Sequence, residues 1–191
     1  GVGDGAVTGD GWQDRMLRGL GALHALAEAA GRLETLPEDV QSEVRQTLGL
    51  PVKEEEVLAT GPRLADTWFV LAQRTTEEER LRVQRTWLLG RETGRWALVL
   101  DFAFGAGVLD RSFVPGCLHC RTLAFFPGIL GRRALAVPDE PGSPETFGDF
   151  PGDPSIAAAL DRIRGPMAAV PWENRWPLCL ADASLAWDAL A

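Results

Sequence analysis

One stretch constrains the fold of this chain more than any other. Residues 86–104 read TWLLGRETGRWALVLDFAF, two apolar runs on either side of a short polar turn. Before the turn the apolar side chains have odd numbers: Leu81, Val83, Trp87 and Leu89. After it they have even numbers: Trp96, Leu98, Leu100, Phe102 and Phe104. A period of two in consecutive runs predicts an antiparallel β-hairpin.

The number parity also predicts the register of this hairpin. Pairing Leu89 with Trp96 and Trp87 with Leu98 gives a constant sum of 185 and closes on a turn at Glu92-Thr93. A slip of one residue would place apolar side chains opposite polar ones. We therefore predict this register, with Trp87 and Trp96 as diagonal neighbours on the core face.

Arg85 interrupts the apolar face of the hairpin, opposite Leu100. One interpretation is a β-bulge or strand end that turns the side chain outward. The other is a buried or groove-facing guanidinium group that binds a ligand. The sequence leaves both open.

The rest of the chain is organised around this hairpin. The first helix is predicted over 12–30 with Asp10 as N-cap, the second begins at Pro37, and a short acidic helix covers VKEEEVLAT. Five strands are predicted at 67–74, 80–90, 95–104, 117–126 and 132–137. A Pro/Gly-rich linker follows Val137. It leads to a helix from Pro154 or Ser155, the extended segment PWENRWP and a short helix in ADASLAWDAL.

These elements predict an α+β protein. N-terminal helices pack on a strongly twisted antiparallel β-meander of about five strands, either open or barrel-like. The predicted segments are a helical part over 1–62, the meander over 63–138, and a linker with a C-terminal helical tail over 139–191.

Composition excludes some classes of protein. With 191 residues and 46% apolar side chains the chain can build a sizeable core. No apolar run approaches the roughly 18 residues that span a bilayer. The three cysteines do not form a disulfide framework, which indicates reduced thiols and a cytoplasmic location. Among 19 basic residues only Lys53 is a lysine, a bias typical of GC-rich bacterial genomes.

Charge is distributed unevenly along the chain. The net charge is −8, which disfavours general binding to nucleic acid. The segment from Arg63 to Val137, however, has 11 basic and seven acidic residues. The central sheet is therefore the one part whose charge is compatible with nucleic acid.

The segment PGCLHCR is the strongest candidate for a metal or redox site. Cys117, His119 and Cys120 are residue types that bind zinc. In an extended strand, however, Cys117 and Cys120 point to opposite faces. We interpret them as ordinary strand residues. Two histidines in all, with no GxSxG and no phosphate-binding glycine motif, also predict a non-enzymatic protein.

The hairpin region resembles a known family. RLRVQRTWLLGRETGRWALVLDFAF, LDRSFVPG and LAFFPGILGRRALAV, with PWENRWPLCL further on, are similar to the region downstream of the zinc finger in bacterial SWIM zinc finger family proteins. The CxCx(n)CxH zinc motif of that family is absent here. The resemblance implies that zinc belongs to an upstream finger, so we expect no cofactor and no metal ligand in this chain.

Together these observations predict a non-enzymatic accessory or protein-interaction domain, with a protein as its partner and no membrane association. The alternative is a nucleic-acid-binding module that uses the basic sheet. The residues predicted to contact a partner or nucleic acid are Arg82, Arg85, Arg132 and Arg133.

Overall fold

Helices precede and follow a central sheet in the computed structural model, which describes residues 11–138, 143–148, 151–181 and 183, with Glu78 described by its backbone alone. The helices are α1 (Trp12–Gly31), a 3₁₀ turn (Leu33–Thr35), α2 (Glu38–Thr47), α3 (Glu54–Thr60) and α4 (Ile156–Ala169). The strands are β1 (Arg63–Glu78), β2 (Leu81–Gly90), β3 (Trp96–Phe104), β4 (Cys117–Phe125), β5 (Arg133–Ala136) and β6 (Glu145–Thr146). The predicted N-cap at Asp10 lies outside the described residues, as does most of ADASLAWDAL.

Local sequence accounts for the helix ends. The Ser155 hydroxyl accepts a hydrogen bond from the Ala158 N–H at 3.2 Å, so Ser155 caps α4. Pro37 precedes α2, and acidic residues in the first turn suit the positive end of the helix dipole. After α2 the chain turns through Gly49, whose φ of 80° favours glycine.

The sheet closes into a ring. Its strand order is β1-β2-β3-β5-β4-β6, and β1 also pairs with β4. The α+β class is therefore confirmed, and β1 to β3 follow the predicted antiparallel meander. The later strands differ from it, because β5 lies between β3 and β4 and runs parallel to β3. The sheet is mixed.

The hairpin register is confirmed, since β2 and β3 pair Trp87 with Leu98 and Leu89 with Trp96. The predicted core face is only partly right: Leu89 is buried in a cluster with Phe69 and Leu118, against which Trp96 packs, but the opposite face lines the ring interior. The cluster to which all five ring strands contribute contains Leu88 and Ala97, which have the opposite parity. It is filled by Trp68, which is 0% exposed, together with Phe125 and Phe113. Trp87 and Trp96 lie on the outer face of the ring, where they are partly buried.

Asp66 of β1 holds the turn of this hairpin. Its Oδ1 accepts hydrogen bonds from the N–H groups of Thr67 at 2.6 Å and Glu92 at 3.1 Å. Its Oδ2 accepts from the N–H and the hydroxyl of Thr93, at 3.1 and 2.6 Å. Asp66 is only 7% exposed. The turn is therefore fixed to the neighbouring strand by one buried carboxylate.

The prediction that the N-terminal helices pack on the sheet holds for α2 and α3 but not for α1. α3 packs against β4 and β5, and α2 meets the loop after β4 through the hydrogen bond from the Ile129 N–H to the Asp39 carbonyl. α1 packs on α2, with Ala29 as its one buried residue. The apolar side chains of α1, among them Leu17, Leu20 and Leu23, face outward, and His24 beside them is exposed.

Candidate functional site

A groove of about 600 Å³ lies on the outer face of the ring, between strands β1–β3 and the extended segment 174–180. We call it the outer groove. A β-bulge between Val70 and Ala72 turns Leu71 and Ala72 towards it. Its lining consists of Leu71, Ala72, Arg74, Thr76, Arg85, Trp87, Trp96, Asn174, Arg175, Trp176, Pro177, Leu178, Cys179 and Leu180.

Backbone pairing with residues 151–153 holds the far wall of the outer groove. The Asp153 N–H donates to the Cys179 carbonyl at 2.7 Å, and the Ala181 N–H donates to the Asp153 carbonyl at 2.9 Å. Gly152 lies so close that a Cβ atom there would be 2.2 Å from the Ala181 nitrogen. Only glycine permits this approach.

A stacked arginine fixes the aromatic side chains of the outer groove. The Arg132 guanidinium lies 5.5 Å from the centre of the Trp87 ring and 5.1 Å from that of Trp176. It also forms an ion pair with Glu173. Trp87 meets Trp96 edge to face, with ring centres 6.3 Å apart. These contacts hold three indole rings in fixed positions.

Three guanidinium groups line the same groove. Arg74 and Arg85 are directly opposite each other on β1 and β2, and Arg175 comes from the far wall. Arg85 donates to the Thr76 hydroxyl at 3.0 Å. The register runs without a shift through Arg85, so the bulge proposed there is wrong. Arg85 is a groove-facing, partly buried guanidinium.

The four arginines predicted as contacts are not brought together. Arg82 donates to the Gly107 carbonyl, and Arg133 lies 4.1 Å from the centre of the Phe126 ring. Arg132 is held by Glu173 and two tryptophans. Only Arg85 lines the outer groove.

The groove also contains residues that sequence reasoning missed, namely Arg74, Arg175 and Trp176. Arg74 could have been found from the predicted strands, because it is the partner of Arg85 once β1 and β2 are aligned. The segment PWENRWP was predicted to be extended, but its sequence does not say where it lies.

Cys117, His119 and Cys120 lie on β4, as the strand prediction requires. Cys120 is exposed and Cys117 partly buried. Among the described residues no group of three histidine, cysteine or acidic side chains is arranged to hold a metal ion. His119 is buried, and its Nε2 accepts a hydrogen bond from the Val114 N–H at 3.2 Å. Its Nδ1 has no partner in the described part of the chain.

Burial, aided by the positive charge of Arg121, lowers the pKa of His119. Because the folded pKa lies below the unfolded value, the unfolded chain binds the extra proton more readily. We expect the free energy of unfolding to fall as the pH drops below about 6.5. Urea titrations at pH 7, 6 and 5 will measure this. His119→Gln should flatten the dependence in this window, and an equally steep dependence in the variant would contradict the assignment.

A second exposed feature is the apolar face of α1. Leu17 is 71% exposed and Leu23 is 62% exposed. Trp12, Met16 and Leu20, on the same stripe, are each about half exposed. The stripe extends over about 16 Å of helix. None of the helices among the described residues is both long and apolar enough to cross a membrane.

The geometry defines a class of protein: a helical N-terminal segment with an open apolar face, joined to a small mixed β-ring. Residues 2–48 match the family model of the SWIM-associated four-helix bundle domain. This match confirms the resemblance to a SWIM zinc finger family protein region. It covers α1 and α2 and stops before the ring. Neither the curated proteins nor the solved structures give a match.

Proposed function

We propose that this chain is a non-enzymatic accessory region of a bacterial, cytoplasmic SWIM-type zinc finger protein, and that it docks a helical protein segment on the apolar face of α1. The observation that carries the proposal is the exposed stripe of Trp12, Met16, Leu17, Leu20 and Leu23. A contiguous exposed apolar face on a helix is typical of an interaction surface.

The family match supports a helical partner. The matched model is a four-helix bundle, whereas the described residues of the match contain only two α-helices, α1 and α2. In a bundle each helix buries its apolar face against its neighbours. α2 covers only part of α1, because Ala29 is buried and the stripe is exposed. Further helices on the stripe would complete the arrangement.

The stripe exposes enough apolar surface for its burial to contribute to binding. Full burial of a leucine, methionine or similar side chain contributes about 1.5–3 kcal/mol, and each stripe residue has roughly half or more of its surface still exposed. Five such side chains would offset a substantial share of the entropy lost on association. The docking is therefore expected to depend on several stripe residues.

Site-specific crosslinking tests this function. A photoreactive phenylalanine analogue replaces Leu20 in the parent protein, expressed in its own cells. We expect one recurrent crosslinked product, mapped by mass spectrometry to an amphipathic helix. The matched control places the same analogue at Arg18, which is also exposed but lies on the opposite side of α1.

The double variant Leu17→Glu/Leu23→Glu should abolish the crosslink at Leu20 while leaving thermal stability close to that of the wild type, because both side chains are exposed. Equal crosslinking at Leu20 and Arg18, or a product that maps to no helix, would refute the proposed docking.

A further inference from the structure

We propose that the outer groove binds single-stranded nucleic acid, with Arg74, Arg85 and Arg175 on the phosphates and the indole rings against the bases. This site is separate from the α1 stripe, so it stands or falls independently of the proposed function. The proposal assigns the alternative function, nucleic-acid binding, to one surface, the outer groove. Of the three arginines in that groove, only Arg85 was named as a candidate from the sequence.

The charge of the groove favours an anion. Its described lining contains three arginines and no acidic residue. Arg74 and Arg85 are directly opposite each other on adjacent strands, an arrangement that like charges disfavour. Within the part of the chain that the structure describes, neither Arg74 nor Arg175 forms an ion pair. A phosphate would give the Arg74 and Arg175 guanidinium groups an anionic partner.

The aromatic lining favours a ligand with planar rings. Trp87, Trp96 and Trp176 all contribute to the groove, and Arg132 holds two of them in place. Because the rings are already fixed, stacking on them costs little side-chain entropy. Non-specific single-strand binding combines such rings with a basic groove.

The size and position of the groove agree with this ligand. Its volume of about 600 Å³ is in the range of sites for drug-sized molecules, and the groove is partly open to solvent. It lies on the outer face of β1–β3 in a closed five-stranded ring. By analogy, OB-folds, which are small five-stranded, partly open barrels, bind oligonucleotides on the face of strands 2 and 3.

An acidic peptide is the main rival ligand. It would satisfy the three guanidinium groups, but it would leave the indole rings without planar partners. A duplex would present phosphates but keep its bases stacked inside the helix. Single-stranded nucleic acid would contact both the arginines, through its phosphates, and the indole rings, through its bases.

Fluorescence anisotropy with a labelled oligothymidylate of about six nucleotides tests the proposal on the full chain. We expect saturable binding at about 50 mM salt that weakens steeply as salt is added. The double variant Arg74→Ala/Arg175→Ala should bind roughly ten-fold more weakly or worse. Its slope of log K against log salt should be shallower by about 1.4, since each lost phosphate contact on a single strand contributes about 0.7.

Stacking is tested separately with Trp96→Leu. We expect a loss of affinity of about five-fold or more with an unchanged salt slope, because no charge is removed. The control for the double arginine variant is Arg15→Ala/Arg18→Ala, which also removes two positive charges. Both residues lie on α1, outside the groove lining, so this control should bind like the wild type.

Several results would overturn the proposal. They are no binding by the wild type at low salt, equal losses in the groove and control variants, or tighter binding of a poly-glutamate peptide than of the oligonucleotide. Free thymidine monophosphate that binds as tightly as the oligonucleotide would also overturn it, because a strand should gain from more than one phosphate contact.

Discussion

Replacing Asp66 with alanine is expected to lower the free energy of unfolding by about 3 to 4 kcal/mol. The carboxylate accepts four hydrogen bonds, from Thr67, Glu92 and twice from Thr93, and it is 7% exposed. Its loss leaves the exposed turn donors to water and removes the link between the hairpin turn and β1. Denaturant unfolding followed by tryptophan fluorescence will measure the change.

Two further variants sharpen this test. Asp66→Asn keeps the shape but presents N–H donors on one side, so it should lose part of the same stability. Asp161→Ala removes a carboxylate of an exposed ion pair on α4 and should change stability by less than about 0.5 kcal/mol. If Asp66→Ala is no more destabilising than Asp161→Ala, the carboxylate does not hold the turn.

The acid dependence of stability gives an independent check on Asp66. Burial alone would raise the pKa of this carboxyl group, but the hydrogen bonds from Thr93, Glu92 and Thr67 outweigh it and lower the pKa. The stabilisation is therefore fully present above the unfolded value of about 3.9 and is lost as the pH falls through the folded pKa. This loss comes at lower pH than the one assigned to His119.

Replacing Gly152 with alanine is expected to detach the far wall of the outer groove. The new Cβ atom would lie 2.2 Å from the Ala181 nitrogen and 2.4 Å from the Leu180 carbonyl carbon, both of them backbone atoms that cannot rotate away. We expect a destabilisation of about 1–3 kcal/mol, or more if the two flanking hydrogen bonds also break. Hydrogen exchange at the Asp153 and Ala181 amides should accelerate.

The control for this variant is Gly21→Ala on α1, where a Cβ atom meets no described atom within 4 Å. That change should be neutral or stabilising by up to about 1 kcal/mol, because alanine favours the helix. Unchanged exchange at Ala181 in Gly152→Ala would mean that the wall is not held by this close approach.

The sequence predicted the hairpin and its register because the alternation of apolar residues is strong over nine positions of each strand. It could not identify the inner face. The interior of a five-stranded ring is narrow, and Trp68, Phe113 and Phe125 already occupy it. Small side chains such as Ala97 therefore point inward, and the larger Trp87 and Trp96 remain outside, beneath the extended segment.

The candidate site was less predictable than the fold. Arg85 was identified because it interrupts an apolar pattern, a signal that is local in sequence. Arg175 and Trp176 reach the groove through the pairing of Asp153 with residues 179–181, about 27 positions further along the chain. No periodicity encodes such a contact. The α1 stripe is visible as apolar residues at helical spacing, but such a pattern does not say what covers it.

The two sides of the outer groove are held in place by different numbers of contacts. The floor is part of a closed ring of strands, so any change there is shared by the whole sheet. The far wall is a single extended segment, held by the backbone contacts at Asp153 and by the contact of Glu173 and Trp176 with Arg132. Such a segment can detach locally without unfolding the ring. Substitutions at 151–153 and 173–181 could therefore adjust the width of the groove, and with it the choice of ligand, while the fold stays the same.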